Sequence, residues 1–421
     1  MVPPSASRRG ALSLLGSAVL GGCSALLGDS EPTERSPTTG QQPVRLGVFA
    51  PDPDTFPPGR AIAEGARLGA AAVNRAGGLA GRPLEPVVLD TAASPQVASG
   101  AYTERVSGGD VGPTVGGYLT PVVRELAEHV GSSSVHLTTG ASGPGLARLV
   151  GERYDDYRGL FRAGPPNTAT LVEPLSRFVA GQADAAGWER VATLVTDRPW
   201  FAPFGEHLAD RLRDHVEVVE TVEQSGTCGT TYAGLFDEVA EAGADALVAV
   251  ADTCASKLVR DWGDQRPPFA LGGYLPPVAR PSFGASVDGY AAGAFTLVPA
   301  AVPARPDHPP PFVAAYRDRF GRAPAPEAAY AYDAVRILRV AAPNDGMPVG
   351  ELIDRLERVT LEDSAAYRRL AFQGPDSRFP HDPPPDLGAG VPRVVQWQDG
   401  APVPVHPAGA AGGEYRRPPW R

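Results

Sequence analysis

Apolar and polar positions along this chain follow two alternating rhythms, short runs of strand length and longer stretches of helical period. The first complete unit is Val44–Leu89. Val44–Phe49 is an apolar run ended by the turn-forming Pro51–Asp54. Ala61–Ala76 then places Ile62, Ala66, Leu68 or Gly69, and Val73 at helical spacing, and Asn74, Gly77 and Gly78 stop the helix. Leu84–Leu89 is a second apolar run. Strand, helix and strand so close together predict a βαβ unit, which requires a parallel sheet covered by helices. The glycines at 77–81 follow a helix and precede a strand. A dinucleotide fingerprint needs the reverse order, so they read as a helix stop and a turn.

The alternation continues. Helices are expected over Gln96–Val106 and Pro121–Val130, with short strands at Pro113–Val115, Val135–Leu137 and Leu160–Ala163. A longer helix over Thr168–Gly187 reads as a crossing out of the first set. A second set begins at Arg190, with strands Val191–Val195, Val216–Val222, Ala246–Val250 and Phe269–Leu271. Helices Phe204–Asp214, Tyr232–Ala242 and Cys254–Asp264 lie between them. Gly289–Pro299 reads as a further strand, Pro303–Pro311 as a Pro-rich loop, and Pro326–Ala342 as an amphipathic helix. Two βα sets imply two α/β lobes, with ligands at the carboxyl ends of the strands and in the cleft between lobes.

Three stretches carry a resemblance. The strand VRLGVFAP, the helix end N-x-x-G-G-L-x-G-R-P-L and the following strand ending in Asp90 resemble the start of a type 1 periplasmic binding protein. The helix core AYAYDAVRIL (residues 329–338) and the final pattern Val394–Trp397, Asp399-Gly400, Val403–Val405 are similar to that family's late helix and last hairpin. The subfamily most resembled is the branched-chain amino acid (Leu/Ile/Val) binding component of ABC importers, over roughly residues 44–405. The resemblance implies two Rossmann-like lobes with parallel sheets, joined by a three-segment hinge, with the ligand between them. Lobe 1 is then expected at 44–167 plus about 289–345, lobe 2 at 168–288 plus about 346–405, and a flexible tail at 406–421.

The N-terminus modifies this picture. Ser7–Leu12 with Arg8 and Arg9 introduces an apolar run, Leu14–Leu20, too short to span a bilayer, which ends Leu20-Gly21-Gly22-Cys23. This reads as an export signal over residues 1–22. Its arginine pair resembles a twin-arginine signal without the usual aromatic, and Leu-Gly-Gly-Cys resembles a lipobox. Cys23 would be lipidated and would anchor the protein to the outer face of the cell membrane. Residues 24–43, polar and rich in Ser, Thr and Pro, read as a disordered tether. Outside a reducing cytoplasm, Cys228 and Cys254 read as a disulfide, the alternative being two separate buried thiols.

Composition narrows the function classes. The 421 residues are enough for two or three domains, each with its own core. Formal charge is −10, and loss of the leader removes two arginines and no acid, so a nucleic-acid partner gains no electrostatic support. Gly140–Pro144 (GASGP) fails the nucleophile-elbow pattern at its last position. The sequence has no H-E-x-x-H, no paired Cys–His spacing and no P-loop, and its seven histidines are scattered. No catalytic residue, metal site or cofactor is expected; a secreted hydrolase using Ser142 is the alternative from another class.

Candidate ligand contacts sit at strand ends. Thr120 and the Thr138–Ser142 segment each lead into a helix start, where hydroxyls and backbone N–H groups favour an anionic oxygen, or simply cap the helix. Resemblance assigns the ligand's carboxylate and amine to Thr120 (or its neighbour Pro121), Gly140 and Ser142. In the second set it places Phe204 where the family usually has a cleft tyrosine, and Asp252, Thr253 and Tyr274 near ligand positions. Trp200 either walls the cleft or packs beneath its loop, and Phe56 is a further candidate. One departure stands out: Pro165-Pro166-Asn167 occupies the place of the acid that amino acid binders set against the ligand ammonium, and the second acid expected near Gly273-Tyr274 is also absent. An ammonium desolvated without a charge partner would be disfavoured by several kcal/mol, so Asp252 or Asp197 must substitute, or the ligand is an amide, a carboxylic acid or another small polar solute. The expected function is capture of such a solute and its delivery to the transmembrane subunits of an ABC permease. A sensor subunit of the same fold is the alternative within binding proteins.

Overall fold

The structure, a computed structural model, describes residues 42–131, 133–229, 231–299, 311–342, 348–384, 393–407 and 412–420. The export signal, Cys23 and most of the tether lie outside the described residues. An interior strand of the first lobe's sheet is β1 (Val44–Ala50), whose last five residues are all buried. Such a run fits a parallel strand covered on both faces. β1 pairs with β2 (Leu84–Asp90) on one side and β3 (Thr114–Gly116) on the other, and β4 (His136–Thr138) and β5 (Leu160–Arg162) extend the sheet. The order is β2-β1-β3-β4-β5, parallel throughout.

The turn between helix Pro57–Arg75 and β2 explains the N-x-x-G-G-L signature. Asn74 donates from Nδ2 to the Leu84 carbonyl (2.9 Å) and accepts the Leu84 N–H at Oδ1 (2.7 Å), tying the helix end to the strand start. Gly78 has φ +83°, and a Cβ there would lie 2.0 Å from the Arg82 carbonyl oxygen, so no other residue fits without moving the backbone. Helix Pro326–Ala341 lies along helix Pro57–Arg75 at very close range. Gly65 makes this possible: a Cβ there would sit 2.1 Å from the Ala328 carbonyl oxygen.

Helix Val172–Ala186 carries the chain into the second lobe, burying Leu175 and Phe178 in a cluster with Trp188, Phe204 and Phe295. Seven strands form its sheet: β6 (Arg190–Thr196), β7 (Glu217–Gln224), β8 (Ala246–Val250), β9 (Ala270–Tyr274), β10 (Phe295–Val298), β11 (Arg393–Gln398) and β12 (Ala401–His406). Their order is β12-β11-β10-β9-β8-β6-β7, with β10–β11 and β11–β12 antiparallel and the rest parallel.

Three boundary expectations change. Gly289 onward does not open a second piece of lobe 1, because β10 pairs with β9 and β11 in the second sheet. Nor does the chain after residue 346 return at once to lobe 2. Helix Val349–Leu356 and the segment through Phe372 bury Ile353, Leu356, Leu361, Leu370 and Phe372 in the core around helix Pro57–Arg75. Finally, residues 412–420 are docked rather than free. Tyr415 stands edge-on to Trp188 (5.4 Å between ring centroids), and Trp420 packs on Trp262 (4.6 Å) while its Nε1 donates to the Pro267 carbonyl. An apolar pattern reports how much a segment must bury, and which lobe offers the surface is a tertiary matter. Among the described residues, no helix is long and apolar enough to cross a membrane.

A candidate ligand cleft between the lobes

Each lobe has the strand order of a doubly wound sheet, and the order reverses between β1 and β3 in the first lobe and between β6 and β8 in the second. Crevices at such switch points, beyond the carboxyl ends of the strands, are where open α/β sheets take ligands. The residues that line the cleft come from those places. Tyr118, Leu119 and Thr120 follow β3, Gly140 and Ser142 follow β4, Trp200 and Phe201 follow β6, Asp252 follows β8, and Tyr274 ends β9. Together they enclose a cavity of ≈ 80 Å³, room for several waters or a small solute. Four prolines (165, 276, 299 and 326) and the rings of Tyr118, Trp200, Phe201, Tyr274 and Tyr330 make most of its wall stiff and apolar.

Hydrogen bonds between loops hold this geometry. Thr120 does not act as a helix cap through its side chain; the Gly143 N–H donates to its Oγ1 (3.1 Å), joining the loop after β3 to the loop after β4. The loop after β4 is held from behind by Arg162, which is 2 % exposed. Arg162 donates from Nη1 to the Ala141 carbonyl and from Nη2 to the Gly143 carbonyl (2.8 Å), the residues on either side of Ser142. Its Nε donates to Asp382 Oδ1 (2.6 Å), and Asn167 Nδ2 donates to the other Asp382 oxygen. In the second lobe, Trp200 lines the cavity, with its indole Nε1 donating to Asp252 Oδ2 (3.1 Å) and its carbonyl accepting from Thr168 Oγ1. Asp252 sits beside the disulfide, since Cys254, bonded to Cys228 as expected, begins the next helix.

Two ionisable groups that the sequence did not single out meet at the inner side of the cleft, one in the cavity wall and one behind it. Glu327, on the first turn of helix Pro326–Ala341, lines the cavity and is buried. Arg280, from the loop after β9, donates from Nη2 to Glu327 Oε1 (2.8 Å) and to the Tyr118 hydroxyl (3.1 Å), so one guanidinium links the lobes. Burial alone would lower the Arg280 pKa, but Glu327 and Tyr118 outweigh it and raise it above its ordinary value. Burial also raises the phenol pKa values of Tyr118, Tyr274 and Tyr330, which therefore remain neutral hydroxyls near neutral pH. Glu327 escapes a sequence reading because an acid just after a helix-starting proline is ordinary dipole chemistry.

The geometry belongs to a known family. The family model described as periplasmic binding protein matches residues 43–385. The chain is a periplasmic binding protein. No curated protein matches it. Among solved structures it is similar to the branched-chain amino acid transporter substrate-binding protein LivJ from Streptococcus pneumoniae in complex with isoleucine, with 16% identity, 86% of this chain and 98% of that chain covered, and TM-score 0.68. An ABC transporter substrate-binding protein from Desulfitobacterium hafniense in complex with Leu has 20% identity, coverage of 86% and 100%, and TM-score 0.66. A solute-binding protein of an ABC transporter from R. palustris in complex with benzoate has 15% identity, coverage of 90% and 98%, and TM-score 0.65. At these identities the likeness shows the fold, and the two lobes with largely parallel sheets are those of a type 1 periplasmic binding protein.

Six of the nine residues read from the sequence of this periplasmic binding protein as ligand contacts line the cavity: Thr120, Gly140, Ser142, Trp200, Asp252 and Tyr274. The other three lie outside its wall. Phe204 is fully buried and stacks beneath Tyr274 (5.5 Å), so it supports a wall residue; a ring without a hydroxyl has no reason to face a polar cleft. Thr253 is exposed and donates its N–H and hydroxyl to Asp252 Oδ1. Phe56 is 37 % exposed and meets the edge of Tyr118 from outside (5.6 Å). Of the two acids considered as partners for an ammonium, Asp252 lines the cavity and Asp197 does not.

Proposed function

We propose that this protein is the extracytoplasmic solute-binding component of an ABC importer, which closes two lobes over a small polar solute and presents it to the permease. One observation carries the reading: residues from four loops and strand ends of two separate sheets converge on one small cavity with rigid apolar walls and a few fixed polar groups. Binding and release then require a hinge motion at the connections between the lobes, with no covalent step. Ser142 lines the cavity, yet among the described residues its lining contains no histidine, lysine or cysteine to activate a hydroxyl, which favours capture over hydrolysis. Leu119, Leu297, Val298 and Ala279 with the aromatic wall suit an apolar side chain, so a branched-chain or similar apolar amino acid is the first ligand to test. A lipid on Cys23 and the tether after it would keep the lobes at the membrane surface, within reach of the permease.

Thermal melts of the full chain test this. A ligand that binds only the folded state at about a hundredfold excess over its Kd stabilises it by about 2.7 kcal/mol. Leucine, isoleucine, valine, their amides, and aliphatic and aromatic carboxylates form the panel. A saturable rise in Tm with at least one member, and recovery of that member chemically unchanged, is the expected result. A flat response across the panel, or turnover abolished in Ser142→Ala, would overturn the reading.

A further inference from the structure

Trp200 is held in the cleft wall from two sides, and one disulfide joins the two holds. In the second sheet β6 lies between β7 and β8. Cys228, in the loop after β7, is bonded to Cys254, at the start of helix Ala255–Gln265 after β8. The chain leaving β6 is attached to both of these segments. On the β7 side, the Asp197 N–H donates to the Gln224 carbonyl (2.7 Å), and Arg198 Nη2 donates to the Gly226 carbonyl (2.5 Å). Gly226 lies so close that a Cβ there would come within 2.9 Å of Arg198 Cζ. The Arg198 guanidinium in turn lies over the Trp200 ring, 5.6 Å from its centroid. On the β8 side, Asp252, two residues before Cys254, accepts the indole N–H (3.1 Å). The Trp200 ring lines the cavity and is only half-buried, so these contacts, more than packing on every side, set its position.

We propose that Cys228–Cys254 is a positioning disulfide of the cleft, which fixes Trp200 and Asp252 in the second-lobe wall and so makes solute affinity depend on its oxidation state. This rests on the capture reading above and deepens it. With the bond intact, the loop after β7 and the start of the helix move as one body, and Arg198 and Asp252 give the indole a fixed seat. Without it, the loop, exposed at Ser225 and at 227–229, can draw Gly226 away from Arg198. Access to the bond is one-sided, since Cys228 is exposed and Cys254 is fully buried. A dithiol reductant therefore attacks at Cys228. Its thiolate bonds to the Cys228 sulfur, and Cys254 leaves as a thiolate at a helix N-terminus, which favours that charge. The reductant's second thiolate then displaces Cys228 and closes the reductant's own disulfide. Two electrons enter the protein, and both cysteine sulfurs end as thiols, with the two protons that the reductant gives up.

Acrylamide quenching of tryptophan fluorescence on the full chain tests this, in dithiothreitol against oxidised buffer. Quenching follows accessible ring surface, so the Trp200 share, read as the parent minus Trp200→Phe, should rise roughly twofold on reduction. In Trp200→Phe the remaining tryptophans, Trp188 and Trp262 among them, should not respond, whereas a chain merely loosened throughout would expose them too. Cys228→Ser with Cys254→Ser should match the reduced parent and ignore the reductant. If neither form stays folded, Arg198→Met with the disulfide intact breaks the hold on the β7 side and should give the same rise. A Trp200 share that does not change, or a rise shared by Trp188 and Trp262, would overturn the proposal. Calorimetry with leucine, isoleucine, valine and the carboxylates of the panel above gives the second readout. The Kd of each member that binds should rise about tenfold on reduction, and an equal Kd would overturn the link to affinity. A raised Trp200 share with no binding by any member would keep the positioning role and overturn the capture reading instead.

Discussion

Arg162→Met tests whether the loop that offers Gly140 and Ser142 is held in place from behind. Arg162 is fully interior, and its guanidinium is shared between a carboxylate and two backbone carbonyls. Methionine fills most of the volume but donates nothing. Asp382 would keep only Asn167 as a side-chain donor, and the Ala141 carbonyl would lose its donor, while the Gly143 carbonyl would keep the Leu146 N–H (3.4 Å). Breaking a buried ion pair by removing one partner costs about 3–5 kcal/mol, and the stranded Ala141 carbonyl adds on the order of 1 kcal/mol. A loss of about 5 kcal/mol is therefore expected, read as a lower urea midpoint with an unchanged slope. Adding Asp382→Leu removes the stranded charge and should restore about 2 kcal/mol, making the double variant more stable than Arg162→Met alone. Losses that simply add, or a single variant within 1 kcal/mol of the parent, would refute the claim that this pair is a coupled buried unit. Because the two carbonyls flank Ser142, whichever solute binds should also bind more weakly in the double variant, even where stability has partly returned.

Two further outcomes follow from groups away from that loop. Reduction of Cys228–Cys254, or Cys228→Ser with Cys254→Ser, opens a loop of 26 residues, and the chain-entropy relation puts the loss near 3.5 kcal/mol; an unchanged denaturation midpoint in reductant would contradict it. His136 is buried on β4, and burial lowers its pKa from 6.5 to about 3. Below about pH 6.5 the unfolded chain takes up a proton that the folded chain refuses. Stability present at neutral pH is thus lost as pH falls toward 3, by up to about 1.4 kcal/mol per unit from this one group. His136→Gln should therefore close its stability gap to the parent by about 2–3 kcal/mol between pH 6.5 and 4.5, and a gap that stays constant over that range would refute it.

The candidate site was legible where it depends on chain order and opaque where it depends on what packs across. Thr120, Ser142, Trp200 and Asp252 stand just past apolar runs, and any βα unit brings the residue after its strand to the same edge of the sheet. Phe204 satisfies the same rule, but Tyr274, from a strand two places away in the sheet, closes over it. Tyr118 and Tyr330 gave no local signal, because an aromatic in a loop or on a helix face reads as ordinary packing.

What the sequence determined by itself is the succession of strands and helices and therefore the two-lobed class of fold. Apolar runs, helical spacing and turn residues are properties of neighbours along the chain, and they appear in the structure at nearly the expected positions from Val44 to Leu271. The same local logic identified the glycine turn before β2, and separately the pairing of Cys228 with Cys254. Tertiary structure alone decided that β10 completes the second sheet, that residues 349–372 remain with the first lobe, and that Tyr415 and Trp420 anchor the chain's end. It also decided that Glu327 meets Arg280 across the cleft, 47 residues apart in sequence. The physical reason is the same in each case. Burial and charge pairing depend on which surfaces meet, and periodicity along the chain specifies the faces of an element but not its partners.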